Sequence, residues 1–215
     1  MKQFAVIGLG RFGVSVAVSL ARMGYDVLAV DTDEHKVEKI VDEVTHAVQA
    51  DALDEEALKA LGIRNFDVVI VSIGQDMEAS ILTTVMLKEM GVKTVVAKAR
   101  TELHGRVLAK VGADKVVFPE RDMGSRVARS LVSKNILDQI DLSPDFSILE
   151  LVAPEEFVGQ SLAESAIRKE YGVNILAIRR GTEVLISPGA NTVIQQGDLL
   201  VAIGRNDRLQ RLGGD

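Results

Sequence analysis

Gly8-Leu9-Gly10-Arg11-Phe12-Gly13 has glycine at its first, third and sixth positions, and Asp31 follows 18 residues after Gly13. In a turn between a strand and a helix, this pattern bares backbone N–H groups to an anionic ligand. Gly8 permits the tight turn, Gly10 lets the main chain approach a pyrophosphate, and Gly13 lets helix and strand pack closely. The helix N-terminus adds unpaired N–H groups and partial positive charge. An acid closing the next strand accepts hydrogen bonds from ribose hydroxyls, and its charge disfavours a 2′-phosphate, so NADP is the least suited nucleotide. The chemistry indicated is phosphate and ribose binding. The plain alternative is a glycine turn of an α/β fold without a ligand. Arg11 lies inside the loop beside Phe12. Its guanidinium can reach a further phosphate, which suits ADP or ATP as well as NAD; otherwise it is a solvated first-turn arginine.

Other residues at strand ends point to the same place, because ligands of open α/β sheets sit beyond the carboxyl ends of the strands. Asp51 and Ala52 follow the third strand, Ser72 the fourth, Lys98 and Arg100 the fifth, and Glu120 the sixth. Asp51 suits either an adenine or ribose edge or a helix N-cap. Lys98 is either a phosphate cation or a surface lysine. Glu120 either holds a cation near phosphate oxygens or is a helix-start carboxylate favoured by the dipole.

These positions require a particular scaffold. Gln3–Ile7, Asp26–Val30, Ala47-Val48, Val68–Val71, Thr94–Ala97 and Lys115–Phe118 read as short, nearly continuous apolar strands, the mark of a parallel sheet covered on both faces. Helical patterns separate them at Arg11–Met23, Asp33–Glu43, Asp54–Leu61, Asp76–Met90 and Glu102–Val111. The class expected is α/β, a doubly wound, Rossmann-like parallel sheet. A wide-striped helix is expected from Glu120 to Leu137, then a linker over 139–145. A small α+β domain follows, with strands at Ser147–Val152, Asn174–Arg179, Glu183–Ile186 and Leu199–Ile203. Its helices are a short one from Ser161 to Lys169, capped by Ser161 with Glu164, and Asp207–Leu212. The domains expected are 1–119, a connecting segment 120–143, and 144–215.

The composition narrows the function. With 47% hydrophobic residues and 26% charged, the 215-residue chain is globular. Lys and Arg number 25 against 31 Asp and Glu, a net charge of −6, which argues against a nucleic-acid surface. There is no cysteine, and His35, His46 and His104 have no ligand spacing. No apolar window reaches membrane-span length, and the chain reads as cytoplasmic. No Ser-His-Asp set, Walker lysine or paired metal carboxylates appear, so no catalytic residue is assigned and binding without turnover is expected. The alternative is an NAD-dependent oxidoreductase.

The segments Phe4–Gly13, Val27–Asp31, Thr45–Val48, Leu61-Gly62-Ile63-Arg64-Asn65-Phe66 and Pro119-Glu120-Arg121-Asp122-Met123-Gly124 resemble the cytosolic subunits of Ktr-type bacterial potassium-uptake systems. These combine an RCK (or KTN) N-terminal domain with a TrkA-C-like domain, and the resemblance spans essentially the whole chain. It implies a regulatory subunit whose dimers form an octameric ring beneath a membrane potassium-translocating subunit (KtrB/KtrD-like), at the inner face of the cell membrane. ATP or ADP would occupy the crevice, held by Gly8, Gly10 and Gly13. Arg11 would reach the terminal phosphate, Asp31 the ribose, Asp51 with Ala52 the adenine, and Lys98 the phosphates. Glu120 would help hold magnesium, calcium or sodium. The helix from Glu120 matches the family's crossover helix, exchanged between protomers. Arg168, Asn174, Ile175 and Pro188 fall where relatives bind cyclic di-AMP.

Overall fold

The computed structural model describes residues 2–132 and 136–214 and divides into two units, Met1–Arg121 and Asp122–Asp215. In the first, β1 (Gln3–Ile7), β2 (Asp26–Asp31), β3 (His46–Gln49), β4 (Val68–Val71), β5 (Val95–Lys98) and β6 (Lys115–Val117) form a sheet in the order β3-β2-β1-β4-β5-β6. Every ladder is parallel. Parallel neighbours need crossovers, which α1 (Arg11–Arg22), α2 (Glu34–Glu38), α3 (Glu55–Ala60), α4 (Met77–Glu89) and α5 (Glu102–Lys110) supply.

Side chains alternate between the two faces of the strands, and both faces are buried. Val6, Val27, Ala29 and Ile70 pack with Ala17 of α1 and with Ile40. Ala5, Ile7, Leu28, Val30, Val69, Val71, Val95 and Ala97 pack with Leu58 of α3, Leu87 of α4 and Leu108 of α5. This explains the continuous apolar runs. The chain winds one way from β1 through β2 to β3, and then crosses to β4 on the other side of β1. A crevice therefore opens beyond the ends of β1 and β4, the switch point where such folds take ligands. Asp54, Asp76 and Thr101 cap α3, α4 and α5 with their side chains, and α1 begins at Gly10 with no side-chain cap.

Helix α2 is shorter than the pattern 33–43 suggests. After Glu38 the chain tightens into turns, with Ile40 N donating to Val37 O at 3.1 Å and Glu43 N to Ile40 O at 2.9 Å.

α6 (Pro119–Val132) leads out of the first unit. Here the expectation of a helix to Leu137 fails. Residues 133–135 lie outside the described residues, and Ile136–Asp141 is a strand, β7, antiparallel to β8 (Phe146–Val152). The physical cause is a distant partner, since Ile136 stands opposite Leu151 and Ile140 opposite Ile148. Residues 139–141 are thus sheet and not linker, and only the turn before Phe146 is a connection.

β9 (Asn174–Arg180), β10 (Glu183–Ile186) and β11 (Leu199–Arg205) complete an antiparallel sheet in the order β10-β9-β11-β8-β7. Leu149, Leu151, Ile178, Leu200 and Ala202 bury against Ile167 of α7 (Ile167–Glu170) and against Leu209 and Leu212 of α8 (Asn206–Leu212). The helix expected from Ser161 to Lys169 is only α7. The Ser161–Glu164 capping contacts form, with Ser161 N donating to Glu164 Oε2 at 2.9 Å and Glu164 N to Ser161 Oγ at 3.3 Å. Ala166 then takes a left-handed φ of +53° and redirects the chain.

Candidate nucleotide-binding site

The loop after β1 is built around what a Cβ would meet. Gly8 has φ +95°, and a Cβ there would stand 3.0 Å from both Ser72 C and Ile73 N of the adjoining chain end. A Cβ on Gly13 would lie 1.9 Å from Gly8 O, so only glycine lets α1 close onto the strand end. Gly10 is different: nothing stands within 4 Å of its Cβ position. No side chain crowds the main chain at Gly10, and α1 starts there without a side-chain cap, two conditions a phosphate cradle requires. Ser72 N donates to Ile7 O at 2.7 Å, which fixes the neighbouring strand end. The Ser72 hydroxyl is buried without a hydrogen-bond partner.

Asp31 ends β2 almost fully buried. Its Oδ2 accepts from Leu9 N at 2.6 Å and its Oδ1 from Asp33 N at 2.9 Å. Lys36 Nζ lies 3.2 and 3.3 Å from the two oxygens. Burial pushes the carboxyl up, but the N–H groups of Asp33 and Leu9, with Lys36, outweigh it and hold Asp31 below the usual carboxylate range. Asp31 therefore shapes the glycine loop. Sequence reasoning missed Lys36. The available signal was its place one helical turn after Asp33, near enough to reach back to the strand end.

Four expected residues come together at the ends of β5 and β6. Lys98 Nζ pairs with Glu120 Oε1 at 2.6 Å and stands 5.8 Å from the centre of the Phe12 ring and 3.5 Å from the Cβ position of Gly74. The bond from Lys98 is the main reason the Glu120 carboxyl lies below its ordinary range; the charge of Arg11 acts in the same direction. Arg11, Phe12, Lys98 and Glu120 thus share one electrostatic neighbourhood with the glycine loop.

The remaining positions are less tightly placed. Asp51 is exposed and accepts from Leu53 N at 2.9 Å, while Asp54, not Asp51, caps α3. The side chain of Ala52 belongs to the core. Arg100 is exposed, and its N–H donates to His104 Nδ1 at 3.4 Å. His104 is buried, and burial above all, then the charge of Arg100, holds its pKa below the ordinary value. In the second unit, Asn174 and Ile175 begin β9, Arg168 is exposed on α7, and Pro188 follows β10 beside Ser187, whose N–H donates to Leu176 O at 2.8 Å. Among the described residues, no group of three or more His, Asp or Glu side chains is placed to hold a metal ion, and no helix is long and apolar enough to cross a membrane.

Comparison with known proteins decides the family. The TrkA-N domain family matches residues 4–119 and the TrkA-C domain family residues 146–213. The Ktr system potassium uptake protein C of Bacillus subtilis (strain 168) is 51% identical over 203 residues, covering 94% of this chain and 92% of the relative. The chain belongs to the Ktr potassium-uptake family. Protein A of the same system and organism is 46% identical over 210 residues, covering 98% of this chain and 95% of that protein. The fold also matches the crystal structure of the GsuK RCK domain, with TM-score 0.69 and 20% identity over 100% of this chain and 48% of that one. The Ktr relationship runs through both units, and the RCK likeness confirms the doubly wound sheet followed by a small antiparallel domain.

Proposed function

We propose that the chain is a non-catalytic regulatory subunit that binds ATP or ADP in the first unit and sets the activity of a membrane potassium-translocating partner. The observation that carries this reading is the open backbone above Gly10, with Arg11 and Lys98 beside it, in a chain of the Ktr family. Gly8, Gly10, Arg11, Phe12 and Gly13 form the phosphate loop; Asp31 takes the ribose; Asp51 and the backbone of Ala52 meet the adenine; Ser72, Lys98 and Arg100 line the strand ends. Glu120 supplies one ligand to magnesium, calcium or sodium, and phosphate oxygens supply others. We take residues 1–119 as the nucleotide domain, α6 as the connection and the antiparallel sheet from Ile136 onward as the second domain. Dimers assembling into an octameric ring at the inner face of the membrane suit α6, where Met123, Val127 and Leu131 recur every four residues and are 55%, 48% and 80% exposed. Cyclic di-AMP at Arg168, Asn174, Ile175 and Pro188 is a second ligand of the same regulatory reading.

A ligand moves a two-state assembly only by its differential affinity for the two states. A tenfold preference is worth about 1.4 kcal/mol per site, so several coupled sites make a switch. The test is calorimetry with ATP, ADP and NAD, with and without divalent cation, alongside co-purification with a potassium-translocating membrane protein. Adenine nucleotide binding without hydride transfer supports the reading. Failure to bind any adenine nucleotide, or turnover of a nicotinamide substrate, refutes it and favours the oxidoreductase alternative.

A further inference from the structure

We propose that the Lys98–Glu120 ion pair is a latch that a ligand phosphate opens by taking Lys98 from Glu120. The inference rests on the nucleotide reading of the site and adds a competition that takes place within it.

The two partners of the pair are unequally placed. Their atoms are 2.6 Å apart, yet the Lys98 side chain is only 11% exposed whereas that of Glu120 is 69% exposed. Lys98 ends β5, with its ammonium confined between Phe12 and Gly74. Glu120 stands in the first turn of α6 and faces water. If a third charge enters, the exposed partner is the one that can leave. Glu120 also lies within the field of Arg11. A carboxylate is therefore held against Lys98 and within the field of Arg11, the two cations expected to receive phosphate. Glu120 is an internal stand-in for that anion, and a phosphate with more charge and more acceptor oxygens competes with it directly.

Opening the latch has a local consequence. The first turn of α6 is tied to the rest of the first unit by the Glu120–Lys98 bond, by the ion pair of Arg121 with Glu102, and by Arg121 stacked 4.0 Å from the centre of the Phe118 ring. Pairing of Lys98 with phosphate releases Glu120, which removes the first tie and leaves the others. Phosphate arrival is thereby converted into a loosened start of the helix through which the chain leaves this unit. The freed carboxylate becomes available to a cation.

Two substitutions test the competition on the full chain, by calorimetry with ADP in excess chelator. Glu120→Gln removes the charge. Glu120→Asp keeps the charge but withdraws the carboxylate by one methylene, so it separates a lost contact from lost repulsion. Both are expected to bind ADP about two- to fivefold more tightly than wild type, the range an ion pair of this kind supports; Lys98→Met is expected to bind ADP more weakly. Hydrogen exchange at the first turn of α6 should speed up when wild type takes ADP, and should already be fast in free Glu120→Gln. Glu120→Asp binding ADP no more tightly than wild type, or added protection of that turn on ADP binding, overturns the latch while leaving the nucleotide site standing. A wild-type chain that binds no ADP overturns both.

Discussion

Replacing Asp31 with asparagine removes a charge and one acceptor without changing the shape of the side chain. In the native loop the two carboxylate oxygens accept from Leu9 N at 2.6 Å and Asp33 N at 2.9 Å. An amide offers a single oxygen, so its NH2 must face one of those N–H groups and that bond is lost. A hydrogen bond to a charged group contributes about 1.5–3 kcal/mol. The Lys36 pair adds at most about 1 kcal/mol, because that lysine is only half-buried and water screens the pair. The variant also buries no charge, which returns part of the loss, and the expected net is about 2–3 kcal/mol. For a chain of this length that is a fall of roughly 5–10 °C in the midpoint of the first unit. Calorimetry reads the midpoint, and hydrogen exchange at the Leu9 amide locates the loss. The pH dependence has a definite sign. Asp31 is held below its ordinary value of 3.8 when folded, so its stabilisation is complete above that value and drains away as pH falls through the lowered one. Asp31→Asn should lack this part of the acid limb. An Asp31→Asn chain as stable as wild type, with an unchanged acid limb, would refute the claim that this carboxylate holds the loop.

Four further outcomes are expected. Gly13→Ala forces a Cβ to within 1.9 Å of Gly8 O, so nucleotide affinity should fall at least about tenfold with a lowered midpoint. Gly10→Ala has open space and an ordinary φ of −73°, so its midpoint should match wild type while calorimetry shows weaker nucleotide binding. Arg11→Ala should weaken ATP far more than ADP; equal losses would remove its role at the terminal phosphate. In the second unit, Asp198 is fully buried and held by Arg180 Nε and Nη2 at 2.8 Å each and by Gln195 N at 2.8 Å. Asp198→Ala takes away the acceptor of Gln195 N and the partner of Arg180, which keeps Val193 O and water, and should cost that unit about 1–3 kcal/mol in urea unfolding. The Arg180 bond holds the Asp198 carboxyl low, so this contribution too is full above the ordinary carboxylate value and lost in stronger acid.

The first unit was legible because one physical rule governs it. Strands buried on both faces are apolar throughout, and Ala5, Val6 and Ile7 show it directly, since adjacent residues enter opposite cores. The second unit was less legible because its boundaries depend on distant partners. Ile136, Leu137 and Ile140 continue a helical spacing from α6, yet Ile136 pairs with Leu151 and Ile140 with Ile148, and a local pattern does not contain those partners. At Ser161 the local signal was real and its capping contacts form. What stops the helix is the left-handed Ala166, and alanine carries no sign of that conformation.

The site divides along the same line. The glycine spacing encodes its own geometry, because the 1.9 Å approach at Gly13 excludes any side chain. Asp31 was legible as an acid at a strand end, but not as the group that fixes Leu9, because that role requires knowing where the loop folds back. Lys98 and Glu120 are 22 positions apart and were each read alone, with two meanings apiece. A parallel sheet sets the ends of β5 and β6 side by side, so topology already brings the pair to one edge. What topology does not give is that the two side chains have already found each other. That contact changes the problem for a ligand. On the nucleotide reading proposed above, a phosphate arriving at Lys98 would gain only the difference between its own hold on that lysine and that of Glu120, not the full attraction of an unpaired cation.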